Sequence, residues 1–297
     1  MYQIIPKKKI FFSISGIIIL LGLVFFLVFG LNFGIDFRGG TFWELKFTEE
    51  VQNDRLRESL ESFSLGEVRI RESDNGKMIK FRSLKHGERD LIFDKLKQEF
   101  GEIEELSFET IGPVIGREIK EKALISLILA SVAIVLYVAW AFRKVSKPVS
   151  SWQFGVTAII TLLHDLAIMF TVFVLLGKFL DVEINTFFIT AMLAVLGYSV
   201  NDTIVVFDRI RERLRLRATD EPFNILVNKS VNETLIRSLN TSITTLLVLL
   251  AIFLFGGTSI RFFVFAMIIG VLAGTYSSIF IASPLLTVWH GLGRRRE

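Results

Sequence analysis

Six apolar stretches constrain this chain more than anything else in it: residues 10–33, 123–142, 152–176, 184–207, 235–255 and 262–286. Each is about 20 residues or longer, enough to cross a hydrocarbon core of roughly 30 Å at about 1.5 Å per helical residue. The expected fold class is an α-helical polytopic membrane protein. It has six transmembrane helices and one α+β, ferredoxin-like periplasmic domain inserted between the first and second. Composition agrees, since 52% of the 297 residues are hydrophobic and 22% charged, with a mean hydropathy of +0.54. Such a chain is too apolar for a water-soluble enzyme. It has no Cys and three His, so disulfides, thiol nucleophiles and thiolate metal sites are excluded and no metal cluster is expected. Ser and His86 of the insert show no nucleophile–base arrangement, and no cofactor is implied.

The first stretch follows Lys7, Lys8 and Lys9 as a signal peptide would. Its apolar run exceeds the 7 to 15 or so residues of an h-region, and no small-residue cleavage motif closes it, so it reads as a retained anchor. Short-loop Lys and Arg set orientation. One side carries Lys7–Lys9, Arg143, Lys144, Lys147, Arg209, Arg211, Arg213, Arg215, Arg217, Lys229 and Arg294–Arg296, fifteen in all, against Lys178 and Arg261 on the other. Both termini are therefore expected in the cytoplasm, and residues 34–122 on the periplasmic or extracellular side. The expected division is 1–33, terminus and first helix; 34–122, external domain; 123–297, five-helix membrane domain. The basic excess sits beside helix ends, where it meets anionic lipid rather than nucleic acid. The segment from Arg209 to Lys229 reads as an amphipathic helix on the membrane surface or as a contact with another protein.

Residues 34–122 hold 20 of the 30 acids and 16 of the 34 basic residues. Trp43, Leu45 and Phe47 alternate as on a strand, and Leu56, Leu60 and Phe63 recur as on a helix. Val68 and Ile70, then Ile79 and Phe81, flank Asp74-Asn75-Gly76, whose Asn-Gly step suits a hairpin. A helix through Leu91, Ile92, Leu96 and Phe100 and a strand through Ile103 and Phe108 complete the order β-α-β-β-α-β of a ferredoxin-like unit.

Ionisable groups inside spans are expensive and mark function by default. Asp202 lies in the fourth span and Arg237 in the fifth, at depths that differ by only a few Å if both helices run as expected. They form a pair, or Arg237 sits solvated at the interface. Ser199, Asn201 and Thr203 surround the acid, while Arg237, Asn240, Thr241 and Thr244 recur at three- and four-residue steps. Such stripes face protein or water. His164-Asp165 falls near the middle of the third span; helical neighbours point about 100° apart, so the two need not touch. Asp165 is a proton-relay candidate or a buried structural hydrogen-bond partner, and His164 titrates near neutrality or simply packs. Gly270 and Gly274 give the sixth span a smooth face, for close packing or for sliding. Asp36, Arg38, Gly39 and Gly40 form a tight turn leading from the first span into the insert; without GxxxxGK[ST] it is no phosphate loop.

The stretches GIDFRGGT (34–41), His164-Asp165, GYSVNDTIVVFDRIRE (197–212), NETLIRSLNTSITT (232–245) and FAMIIGVLAGTYSSIFIASPLL (265–286) together resemble the SecF family. This is the smaller-subunit family of the bacterial SecD–SecF protein-export complex, in the resistance-nodulation-division superfamily. The resemblance covers nearly the whole chain. It implies association with SecD, work beside SecYEG, with YajC and YidC as further expected partners, and outward movement of preproteins driven by the proton gradient. It places the family's intramembrane acid on Asp202 and its basic partner on Arg237, with Ser238 where Thr is frequent; no SecD half precedes Met1, so a separate chain rather than a SecD–SecF fusion is expected. In the mechanism this suggests, burial and a nearby guanidinium act oppositely on a carboxyl's hold on its proton. Protonation of Asp202 weakens its attraction to Arg237, the helices repack and the external domain moves. About 100 mV supplies roughly 2.3 kcal/mol per charge, so a large movement needs several protons. Two other functions fit the same features: a proton-coupled small-molecule or lipid transporter of that superfamily, and a non-coupling scaffold of the translocon.

Overall fold

A computed structural model describes residues 2–73, 75–143, 149–215 and 221–294. The chain divides into two compact units, Phe33–Leu124 and the remainder, Met1–Asn32 with Ile125–Glu297.

The smaller unit is the α+β insert. A helical turn α2 (Ile35–Arg38) leads into β1 (Gly40–Phe47), followed by α3 (Asn53–Glu61), β2 (Arg69–Glu72), β3 (Lys77–Phe81), α4 (Glu88–Phe100) and β4 (Ile103–Ile111). The four strands form one antiparallel sheet in the order β2-β3-β1-β4. Alternation puts Trp43, Leu45, Ile79 and Phe81 on the covered face, where they meet Leu56, Leu60, Ile92 and Leu96. Leu91 departs from the expected helix face and is exposed; Ile92 takes the inward position. Ile103 and Phe108 share the core side although five positions apart, because the register shifts opposite Glu44 and Leu45, pairing Leu45 with Glu105 and Glu44 with Ser107. Such a bulge resets the two-residue alternation. The β2–β3 hairpin closes through Ser73 N–H to Gly76 O at 2.8 Å; Asp74 lies outside the described residues. Gly39, at φ 76°, allows the turn between α2 and β1, and a Cβ there would sit 2.8 Å from Pro113 Cα. The expected tight turn thus contains one short helical turn.

The larger unit holds α1 (Lys8–Phe29), the membrane part of α5 (Pro113–Ala141), α6 (Ser151–Phe179), α7 (Thr186–Arg215), α8 (Phe223–Phe255) and α9 (Thr258–Ser277). One π-helical turn, Ser278–Ala282, joins α9 to α10 (Ser283–Arg294). Among the described residues, six segments are long and apolar enough to span. The polar ends of α7 and α8 run helically through Arg215 and from Phe223, so the expected surface helix between Arg209 and Lys229 is mostly continuation of these two; 216–220 lie outside the described residues. α6, α7 and α9 are the inner helices, while α1, α5 and α8 lie outside them. Their apolar contacts are packing rather than escape from water, because lipid is as apolar as leucine. Shape therefore decides: Phe142 and Phe154 stack with ring centroids 5.2 Å apart, and Phe207 meets Phe154 edge-on at 5.2 Å. At the same end, Ile4 and Ile5 are buried and their N–H groups donate to Asn228 Oδ1 at 3.0 and 3.1 Å. Asn228 and Asn232 both donate to Tyr2 O at 3.0 Å, and Tyr2 N–H donates to Asn232 Oδ1.

In the insert, Arg82 donates to both Glu88 oxygens at 2.8 and 3.0 Å and Lys85 N–H adds a third bond, which together hold the Glu88 carboxyl down at about 2. A carboxylate whose folded value lies below its unfolded one stabilises above the unfolded value, and the contribution is lost as pH falls toward the folded one. The melting temperature of the insert is therefore expected to fall between about pH 4.5 and 2. Arg82→Gln flattens that acid limb while leaving the neutral-pH sheet spectrum intact, as circular dichroism melts across the range will show.

Candidate functional site

The polar groups of the inner helices gather around two carboxylates. Asp165 of α6 is 1% exposed. Its Oδ1 lies 2.9 Å from His164 Nδ1, and its Oδ2 accepts hydrogen bonds from Ser199 Oγ of α7 and, at 2.9 Å, from Ser277 Oγ of α9. The neighbours His164 and Asp165 do touch: Nδ1 adjoins the point where the ring is attached and reaches sideways to the next residue's carboxyl. His164 Nε2 lies 2.9 Å from Ser15 Oγ of α1, Ser15 reaches Tyr276 OH at 3.4 Å, and Tyr276 OH donates to Phe11 O at 3.1 Å. A neutral imidazole protonated at Nδ1 donates to the carboxylate and accepts from Ser15; an imidazolium donates both ways. Both protonation states keep the Asp165 contact.

Asp202 of α7 is 6% exposed, and Ser278 Oγ donates to its Oδ2 at 2.9 Å. Ser238 of α8 lies beside the same carboxyl. The expected partner Arg237 does not: it lies on the exposed side of α8, together with Asn240, Thr241 and Thr244, whose hydroxyls or carbonyls bond within their own helix. The reason is helical geometry. Ser238 is rotated about 100° from Arg237, and the inward stripe of α8 is Thr234, Ser238 and Ser242. Ser242 Oγ meets Thr275 Oγ1 of α9 at 2.5 Å. Asn201 is exposed on α7, whereas Thr203 is buried with its hydroxyl unpartnered.

Close approach of α7 and α9 makes these contacts. A Cβ on Gly270 would collide with the Val195 side chain, and one on Gly274 would lie 2.9 Å from Ser199 Cβ. Gly274 thus brings the Ser199 turn against the Ser277 turn. The donors Ser15, Ser277 and Ser278 were not among the expected site residues. Their signal, hydroxyls at helical spacing in otherwise apolar spans, was present but has no periodicity that singles out a carboxylate.

The fold and this site define a polytopic membrane protein with two carboxylates buried among its inner spans. Residues 92–292 match the family described as protein export membrane protein SecD/SecF, C-terminal, and residues 24–49 match the SecD/SecF GG motif. The chain belongs to the SecD/SecF protein-export family. It is 43% identical over 302 residues to a protein translocase subunit SecF from Thermobaculum terrenum, covering 97% of this chain and 94% of the relative. A SecF from Calditerrivibrio nitroreducens is 38% identical, covering 97% and 94%. The crystal structure of SecDF from Thermus thermophilus, a translocon-associated membrane protein, matches with a TM-score of 0.84 at 34% identity, over 98% of this chain and 39% of that one. A SecDF structure in a super-membrane-facing form matches at 0.70 and 33% identity, over 99% and 39%. The chain thus spans about two fifths of the SecDF chains it matches.

The α7–α9 contact yields a direct test. Gly274→Leu forces the helices apart or distorts their rotamers, a cost of about 1–3 kcal/mol or more for overpacking. The variant is expected to lower the thermal unfolding temperature of the detergent-purified chain and its yield in membranes, while Gly291→Leu, at a site with open space around it, leaves both unchanged.

Proposed function

We propose that this chain acts as the SecF subunit of a SecD–SecF complex in the bacterial inner membrane. There it uses the proton gradient to promote late-stage translocation and release of preproteins beside SecYEG. The observation that carries the coupling is the burial of Asp165 and Asp202 among hydroxyl donors rather than fixed cations. A carboxyl held by O–H groups can gain or lose its proton while every partner remains satisfied, because a hydroxyl both donates and accepts. Arg237 supports the partnership. A guanidinium stays charged and cannot remain against lipid without a partner, and on the exposed side of α8, beside Asn240, Thr241 and Thr244, it suits a partner helix. SecD, the remainder of the matched SecDF chains, is the natural supplier of that helix and of a counter-charge. YajC, YidC and anionic lipid are further neighbours in this reading. The basic segments set both termini in the cytoplasm and the insert in the periplasm.

Two experiments test this. Preprotein release is followed from vesicles containing the chain with SecD, with and without a proton gradient. The gradient is expected to accelerate release several-fold in wild type and not in Asp202→Asn; equal acceleration in both removes Asp202 from the mechanism, and none in either leaves only a scaffold. For orientation, the absence of native Cys allows single-cysteine labelling. A membrane-impermeant maleimide is expected to label Glu99→Cys from the periplasm, and Arg215→Cys only after permeabilisation.

A further inference from the structure

The junction of α9 and its π turn places two consecutive hydroxyls on two different carboxylates. Ser277 Oγ reaches Asp165 Oδ2 on α6 and Ser278 Oγ reaches Asp202 Oδ2 on α7, both at 2.9 Å. Each hydroxyl also lies within hydrogen-bond distance of the carbonyl three residues back, Ser277 of Gly274 O at 3.1 Å and Ser278 of Thr275 O at 3.0 Å. Both serines are fully buried. A hydroxyl has one proton to give and lone pairs to receive. Facing an ionised carboxylate, it donates to that carboxylate. Facing a protonated carboxyl, it accepts a hydrogen bond from the acid's O–H and turns its own O–H to the carbonyl. Each serine is therefore a two-position rotor whose setting follows the charge on its carboxylate, and the carbonyl it turns to belongs to α9.

The turn that follows departs from α-helical geometry. Ser278–Ala282 is π-helical, Ser283 Oγ bonds Ser278 O at 3.2 Å, and Pro284 offers no N–H to the preceding turn. Single π turns inside α-helices recur at functional positions, and proline removes one backbone bond. Around Asp165 stand His164 of its own helix, linked on to Ser15 of α1, then Ser199 of α7 and Ser277 of α9; around Asp202 stand Ser278 and, from α8, Ser238. Among the described residues, His164 is the only group forming an ion-pair contact with either acid.

We propose that Ser277 and Ser278 are positioning residues that join Asp165 and Asp202 into one coupled pair, with a single turn of α9 responding to the protonation of both. This deepens, and rests on, the proton-coupling reading above. The mechanical consequence is that a proton arriving at one carboxyl resets a hydrogen bond in the same turn that holds the other.

The test measures gradient-driven preprotein release against pH in vesicles holding the complex with SecD, for wild type, Ser277→Ala, Ser278→Ala, the double variant, Asp165→Asn and Asp202→Asn. Loss of an O–H donor favours the protonated carboxyl. Each serine variant is therefore expected to move the pH of half-maximal release upward by about one unit, a roughly tenfold change in proton concentration. The double variant is expected to depart from the sum of the two shifts, as coupled sites do and independent ones do not. Unchanged profiles in the serine variants, with coupling lost in the Asp variants, overturn this inference alone, as do strictly additive shifts. A wild type that ignores the gradient overturns the proton-coupling reading and this inference with it. Infrared difference spectra of the purified full chain serve any variant that fails to assemble with SecD: the carboxyl stretch is expected to titrate at a shifted pH in Ser277→Ala and Ser278→Ala, and an unshifted titration overturns the inference.

Discussion

Two acids must exist inside an apolar bundle with no Lys or Arg among the described residues paired to them, and most of the membrane unit answers that requirement. A charged residue at the centre of a span costs about 2.5–3.5 kcal/mol on insertion scales, and a hydrogen bond to a charged group returns about 1.5–3 kcal/mol. Asp165 receives His164, Ser199 and Ser277, from three helices, and these bonds offset that cost. Asp202 receives Ser278, with Ser238 beside it, and is the less fully compensated of the two. That ordering makes Asp202 the carboxyl whose charge depends more on what an additional subunit brings.

Satisfying these groups sets the helix packing. Within lipid there is no hydrophobic drive between helices, so shape and hydrogen bonding hold them together. Hydroxyl side chains are short, and Ser199 and Ser277 reach one carboxylate only because Gly274 lets α7 and α9 approach. A larger residue at that glycine acts on the acid through distance alone. Packing and chemistry are here the same constraint seen from two sides.

The six spans were legible because apolar length is a property of one segment at a time. The β-α-β-β-α-β order was legible for the same reason, through Trp43, Leu45, Ile79 and Phe81. The bulge beside Leu106 was not, since register depends on two strands. His164, Asp165 and Asp202 stood out as charges in apolar surroundings. Their donors did not, because Ser15, Ser277 and Ser278 come from helices more than 70 positions away in sequence. Arg237 shows the limit most clearly. α8 carries two polar stripes, Arg237-Asn240-Thr241-Thr244 and Thr234-Ser238-Ser242, about 100° apart; periodicity finds both and cannot tell which one faces its own chain. The inward one is the uncharged one.

The clamp on the segment from Tyr2 to Ile5 carries a consequence for biogenesis. Its acceptors and donors on Asn228 and Asn232 are some 224 positions downstream of Ile4. At about 5–20 residues per second, the ribosome makes them roughly 10 to 45 s after the segment itself. During that interval the first span is in the membrane with its leading residues undocked, and the fifth span locks them in place when it arrives. The order of synthesis thus leaves the segment from Tyr2 to Ile5 without its clamp until α8 is made, and α9 and α10 then add Tyr276 and Thr287 to the partners of α1.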